Sequence, residues 1–370
     1  MKKHVALLAV TLFCLMLAVV PSVAAELKSA KEAYQRGISC VVKQDYDAAI
    51  AAFSEAIRLE PKNAGAYNNR GRAYMSKGKV NEALDDLTEA IRLDPKEIRS
   101  YLGRGAAYVS KGEFDKAIAD YTEAIRLGPK EIGPNLGRGV AYLLKREYDE
   151  ATADFTEAIR LNPKEISSYI GRATAYEAKR EYDEAIADCT EAIRLDPKEI
   201  KSYMCRAAAY QAKREYDKVV ADCTEAIRLD PRLARAYWGR AIAYYYKGER
   251  DNAITDLSHA IRLDPRDSNA ICFRAIVYEK KGDHDKAITD YTEAIRVDPK
   301  AAGTYWLRGV AYGRKGEHDR AISDCTEAVR LDANLAGAYY YRGVAYQKKG
   351  EKSKAEEDFA RARKLGYKGE

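Results

Sequence analysis

The side chains best suited to chemistry in this chain recur at one fixed interval. Arginine stands at Arg36, Arg70, Arg104, Arg138, Arg172, Arg206, Arg240, Arg274, Arg308 and Arg342, each 34 residues after the last. Aspartate keeps the same interval at Asp86, Asp120, Asp154, Asp188, Asp222, Asp256, Asp290, Asp324 and Asp358, with Ala52 where the column would begin. A guanidinium and a carboxylate make a strong bidentate pair. The two columns therefore predict a ladder of ion pairs between packed helices, with Asp188 or Asp222 as the partner of Arg206. An anion-binding arginine stripe is the competing reading. Cations matched by anions at one period describe structure better. A catalytic carboxylate pair would be singular, and these recur with the repeat. The chain has no G-x-S-x-G, P-loop, H-E-x-x-H or C-x-x-C motif. His284 and His318 lie one period apart, where Tyr182 and Tyr216 stand in other units, and read as packing or turn residues. The expectation is no enzyme, no cofactor and no metal site.

Seven cysteines are present, six of them after Cys14. Cys189, Cys223 and Cys325 occupy a position that elsewhere holds Phe53, Leu87, Tyr121, Phe155 or Leu257. That placement predicts a small apolar core role. A disulfide, if one forms, would join Cys205 to Cys189 or Cys223.

A chain of 370 residues with 46% hydrophobic and 32% charged residues is neither disordered nor a polytopic membrane protein. A formal charge of +6 is too even for a protein devoted to nucleic acid. The first residues, Met1-Lys2-Lys3-His4, are basic, and Val5 to Val20 are almost wholly apolar. That run is short for a spanning helix, which needs about 20 residues. Pro21, Ser22 and the small residues Val23-Ala24-Ala25 follow it. Residues 1–25 thus read as a secretory signal peptide cut after Ala25. The mature chain is expected to be exported, to the periplasm or exterior of a bacterium, without spanning a membrane.

Proline repeats at 61, 95, 129, 163, 197, 231, 265 and 299, closing segments such as EAIRLDP. Counting positions 1–34 from Ala30 gives ten units: 30–63, 64–97, 98–131, 132–165, 166–199, 200–233, 234–267, 268–301, 302–335 and 336–369. Each unit reads as two helices. Tyr101, Gly105 and Tyr108 share one face of the first; Ala117, Tyr121 and Ala124 share one face of the second. Lys43 through Lys349 precede the break between them, where a helix C-terminus favours a cation. Asp47 and its equivalents stand where a cap or first-turn acid is wanted. Small residues at positions 8, 20 and 27 allow close helix approach.

These residues resemble the tetratricopeptide repeat (TPR) family, over residues 30–369. The aromatic–Gly/Ala–Tyr run, the Ala–aromatic–Ala run and the closing proline all match its spacing. The resemblance implies an all-α helix-turn-helix solenoid, wound as a right-handed superhelix with first helices on the concave face. Ala33, Cys40, Asn135 and Ile271 depart from the pattern locally. The family's Lys/Asn clamp for acidic peptide tails is not supported, because Tyr34, Ile38 and Gly103 stand at its positions and only Asn69 fits. In the last unit the apolar positions 21 and 28 become Glu356 and Arg363, as expected of a capping repeat.

The resemblance places positions 5 and 9 toward the concave surface. Position 5 holds Leu102, Leu136, Ile170, Met204, Trp238, Trp306 and Tyr340, and Tyr245 and Tyr246 add aromatic area near Trp238. Gly103, Gly137, Gly171 and Gly239 at position 6 read as leaving room for a ligand. These residues are the candidate groove for a protein or peptide partner, helix–helix packing being the other reading. The expected function is a non-catalytic interaction scaffold outside the cytosol. The alternative is an architectural subunit of an envelope assembly or export complex.

Overall fold

A computed structural model describes residues 29–368. The expected signal peptide, residues 1–25, lies outside the described residues. Twenty α-helices make up the described chain, and no strand is found among the described residues. First helices run from Ala30–Val42 to Ala336–Lys348 and second helices from Tyr46–Leu59 to Lys352–Lys364. Each pair forms a helical hairpin, and the set is an all-α repeat solenoid. The chain divides into two compact units, the first ending at Gly171 and the second beginning at Arg172.

The turn inside each hairpin needs one residue in the left-handed region. Gly78, Gly112, Gly248, Gly282, Gly316 and Gly350 supply it at φ between 71° and 84°. Gln44, Arg146, Arg180 and Arg214 hold the same conformation at φ between 59° and 66°. A non-glycine residue there costs about 1–2 kcal/mol, so the fold imposes the turn even where the sequence does not favour it. At the other end, Tyr101 donates its hydroxyl to the Pro95 carbonyl at 3.2 Å, and Tyr203 does the same to Pro197. That bond ties the closing proline to the next first helix.

Alanines at positions 20 and 27, such as Ala49, Ala117, Ala192 and Ala294, are fully buried. Position 24 carries the filling side chain: Phe53, Leu87, Phe155, Leu257 and Tyr291 are at most 1% exposed. Burial of each is worth roughly 1.5–3 kcal/mol. Cys189, Cys223 and Cys325 are equally enclosed, in their expected core role.

The ion-pair ladder forms, and each arginine from Arg70 to Arg342 pairs with the aspartate of its own hairpin. Arg206 Nε and Nη2 donate to Asp222 Oδ2 and Oδ1 at 2.9 and 2.7 Å. Arg104–Asp120, Arg138–Asp154 and Arg308–Asp324 repeat this geometry. The carboxylates are only 4–7% exposed. The third nitrogen reaches back one repeat: Arg138 Nη1 donates to Thr122 at 2.9 Å and Arg206 Nη1 to Thr190 at 3.0 Å. The threonine column is therefore an inter-repeat link. In the tenth unit the position is Ala360.

A second link is also inter-repeat. Lys145 pairs with Asp115 at 2.8 Å and Lys247 with Asp217 at 2.7 Å, each across to the preceding hairpin. Lys145 and Lys247 also meet Glu147 and Glu249 at 2.7 Å; where Asn81 stands in place of the aspartate, Lys111 makes this second contact, to Glu113 at 3.1 Å.

On the outer face, Glu123–Arg126 and Glu225–Arg228 are i,i+3 pairs at 2.6 Å. The arginine hydrogen bond holds each glutamate, Glu55, Glu89, Glu157 and Glu293 included, below the ordinary value of 4.5. A depressed native pKa stabilises the fold above the unfolded value, and that contribution disappears as pH falls through the native one. The unfolding temperature is thus expected to drop between pH 5 and pH 3, and 0.5 M NaCl should shrink the drop by screening these exposed pairs. Calorimetry at the two salt levels checks this.

Candidate interaction site

The expected site residues have different surroundings. Leu102 is half-buried against Ala117, Tyr121 and Ala141. Leu136 and Ile170 are half-buried in the first helices Ile132–Lys145 and Ile166–Lys179. Tyr340 stacks on Tyr367 at 4.5 Å and packs on Phe359 at 5.6 Å. Trp306 leans on Tyr341 with ring centroids 6.3 Å apart, and a Cβ on Gly337 would come within 2.7 Å of its indole. Trp238 similarly meets Phe273 at 6.5 Å. Both indole N–H groups are enclosed without a hydrogen-bond partner. Each tryptophan thus spans two neighbouring first helices, so Trp306 works mainly as inter-repeat packing. Tyr245 packs edge-on to Phe273 and Tyr246. Tyr246 is 60% exposed and stacks on Tyr216 at 5.2 Å.

The position-6 glycines have a different use from the one expected. A Cβ on Gly137 would lie 2.5 Å from Tyr121, on Gly171 2.5 Å from Phe155, and on Gly103 2.9 Å from Leu87. The large position-24 side chain of one repeat therefore fills the position-6 gap of the next. At these three glycines the room is taken by the protein's own core.

Gly239 is the exception. Its facing residue is the small Cys223, whose Sγ would lie 3.3 Å from an added Cβ. With both partners small, a cavity of about 360 Å³ opens. Glu177, Met204, Ala207, Ala208, Gln211, Ala212, Val219, Cys223, Arg235, Trp238 and Gly239 line it. They come from the first helices Ile166–Lys179, Ile200–Ala212 and Ala234–Lys247 and the second helix Tyr216–Leu229. Of the expected groove residues, the structure brings Met204 and Trp238 together here. Glu177, Gln211 and Arg235 were missed. The available signal was Glu177 itself, a carboxylate in a column that reads Val41, Met75, Val109 and Leu143 before it and repeats the acid only at Glu279.

The electrostatics of the cavity are singular. Burial pushes the Glu177 carboxyl above its ordinary 4.5, and Arg235 opposes that shift without forming an ion pair. Burial also pushes the Cys223 thiol up to about 12. Such a thiol stays protonated at neutral pH and is a poor nucleophile.

Other features are more ordinary. A second hollow of about 520 Å³, in the first unit, is lined by Ile38, Val41, Val42, Tyr46, Met75 and Gly103 among others. His284 Nδ1 lies 2.6 Å from Glu279, which also receives Arg314 at 2.5 Å. His318 lines a smaller hollow of about 170 Å³ beside Arg314. No helix among the described residues is long and apolar enough to cross a membrane.

Helical hairpins at a 34-residue period, with the position-24 side chain of one repeat packed over position 6 of the next, are matched by models described as tetratricopeptide repeat at 34–98, 70–132, 102–166, 166–199, 234–267 and 302–335, and as TPR repeat at 277–316. The chain belongs to the tetratricopeptide repeat family. Its described residues form a TPR scaffold of ten helical hairpins. A TPR protein from Parabacteroides merdae is similar at 24% identity and TM-score 0.55, over 68% of this chain and 99% of its own. YrrB, described as a TPR protein with an unusual peptide-binding site, aligns at 21% identity and TM-score 0.44, over 50% of this chain and 95% of its own. A TPR protein of Thermus thermophilus aligns at 25% identity and TM-score 0.42, over 50% and 100%. The likeness to the Parabacteroides merdae protein shows the fold. No curated protein matches the chain in sequence.

Proposed function

We propose that this TPR protein is a non-catalytic scaffold that holds a segment of a partner protein in the cavity of repeats 5 to 7. The observation that carries this is the Cys223–Gly239 gap. It opens a pocket with an apolar floor of Met204, Val219 and Trp238 and a half-buried carboxylate at Glu177. Mostly apolar concavities with a few placed polar groups are the usual form of a binding site. An apolar side chain of the partner enters between Met204 and Trp238, and an adjacent lysine or arginine meets Glu177. A charged hydrogen bond of this kind contributes about 1.5–3 kcal/mol. We further propose that the scaffold works outside the cytosol, supported by the basic start, apolar run and Ala24-Ala25 of the first 25 residues.

A photo-crosslinking residue in place of Gln211, a half-buried residue of the cavity lining, is expected to capture one partner from the envelope fraction. Glu177→Gln is expected to weaken that partner's binding by about tenfold or more, in line with the loss of one charged hydrogen bond. Wild-type affinity is expected to fall as pH drops through the raised Glu177 pKa, because only the ionised carboxylate attracts the cation. The variant should lose this pH dependence. Equal affinities for the two proteins across pH 4–8 would contradict the assignment. Stable co-purification with membrane components through other surfaces, with Gln211 uncrosslinked, would instead favour the architectural-subunit reading.

A further inference from the structure

The match between position 24 of one repeat and position 6 of the next fixes which cysteines face each other. Cys223 faces Gly239, where an added Cβ would sit 3.3 Å from Cys223 Sγ. One period earlier the same two positions hold Cys189 and Cys205. Here position 6 does carry a Cβ, and that Cβ carries a sulfur. Across a disulfide, the Cβ of one cysteine lies about 3 Å from the sulfur of the other, given an S–S bond near 2.04 Å. The repeat geometry thus turns the Cys205 side chain toward Cys189; both are free thiols here and lie within hydrogen-bonding reach of each other. The two residues share one core cluster with Ala173, Ala185 and Ala209.

From this facing pair we infer that Cys189 and Cys205 are a modification site: they close to a disulfide that staples the second helix of repeat 5 (Tyr182–Leu195) to the first helix of repeat 6 (Ile200–Ala212). The oxidant is a small or protein disulfide of the glutathione class. Cys205 is half-buried and Cys189 fully buried, so the exchange begins at Cys205. Its thiolate attacks one sulfur of the oxidant, forming a mixed disulfide and expelling one glutathione thiolate. The Cys189 thiol then gives up its proton to solvent, and its thiolate attacks the Cys205 sulfur and expels the second glutathione. Two protein thiols are oxidised and one glutathione disulfide is reduced to two thiols. The Cys205 thiol and burial both push the Cys189 pKa up. The closing step therefore accelerates as pH rises.

Among the described residues, Cys223 faces a glycine, Cys325 Sγ would lie 2.8 Å from a Cβ on Gly309, and Cys272 contacts the Thr304 hydroxyl at 3.8 Å. The inference does not depend on a partner occupying the cavity.

The test uses the full chain. It is held folded in oxidised glutathione at pH 8, alkylated with iodoacetamide and digested with trypsin without reduction. The expected product joins peptide 181–194 to peptide 202–206 and is about 2 Da lighter than the sum of the two reduced peptides. Titratable thiols should fall by two. Cys205→Gly keeps the fold, since glycine stands at that position in four other repeats, and should abolish both the linked peptide and the loss of two thiols. Recovery of both peptides alkylated would overturn the inference. So would a link from Cys205 to Cys223 in peptide 219–228, or a glutathione adduct on Cys205 that never closes.

Discussion

Arg206→Leu is expected to lower the stability of the folded chain by about 3–5 kcal/mol, because it leaves a buried carboxylate without its partner. That carboxylate is Asp222, bonded to Arg206 through two nitrogens and 5% exposed. Asp222→Ala is expected to do comparable damage by stranding the guanidinium, whose side chain is only 17% exposed. Combining the two should recover about 2 kcal/mol or more of the summed losses. Asp188 provides the control. It accepts from Arg172 at 2.8 Å, so the cycle of Arg206→Leu with Asp188→Ala is expected to show no coupling beyond about 0.5 kcal/mol. Urea denaturation followed by circular dichroism measures all of these without the screening that guanidinium would add. Coupling to Asp188 instead of Asp222 would mean that the arginines pair between hairpins.

The sequence carried the architecture clearly because the repeat averages away local noise. One Arg column and one Asp column already implied pairing. Which aspartate serves which arginine required the register of one helix on another. A 16-residue separation and an 18-residue separation cannot be ranked from spacing alone. Asp115 and Asp217 looked like helix-end acids, which they are, but their carboxylates also reach across to Lys145 and Lys247 of the next hairpin. A pattern confined to one helix does not reveal that second partner.

The candidate site was harder to read for a similar reason. Gly103, Gly137 and Gly171 were assigned as open space because a glycine shows what its own side chain leaves empty. It does not show what a neighbour supplies. Leu87, Tyr121 and Phe155 fill those gaps from the preceding repeat. Gly239 alone keeps its gap, because Cys223 stands where a ring would be. The cavity is a coincidence of two small residues 16 positions apart, visible in sequence only once it is known that those positions touch. Trp238 and Trp306 share a column, yet Trp238 lines the cavity and Trp306 does not.

Central to the account is that the Cys223–Gly239 gap is a binding site and not a packing flaw. Cys223→Phe is the most direct test. Tyr121 over Gly137 and Phe155 over Gly171 show that a ring fits opposite a position-6 glycine. The substitution should therefore fill the cavity from within, adding buried apolar area without straining the helices. Thermal stability is expected to hold or rise. Partner affinity, measured by calorimetry with the protein captured at Gln211, is expected to fall by at least about 30-fold, the effect of losing a central anchor worth about 2 kcal/mol. A Cys223→Phe protein that is equally stable and binds its partner as tightly as wild type would contradict the account.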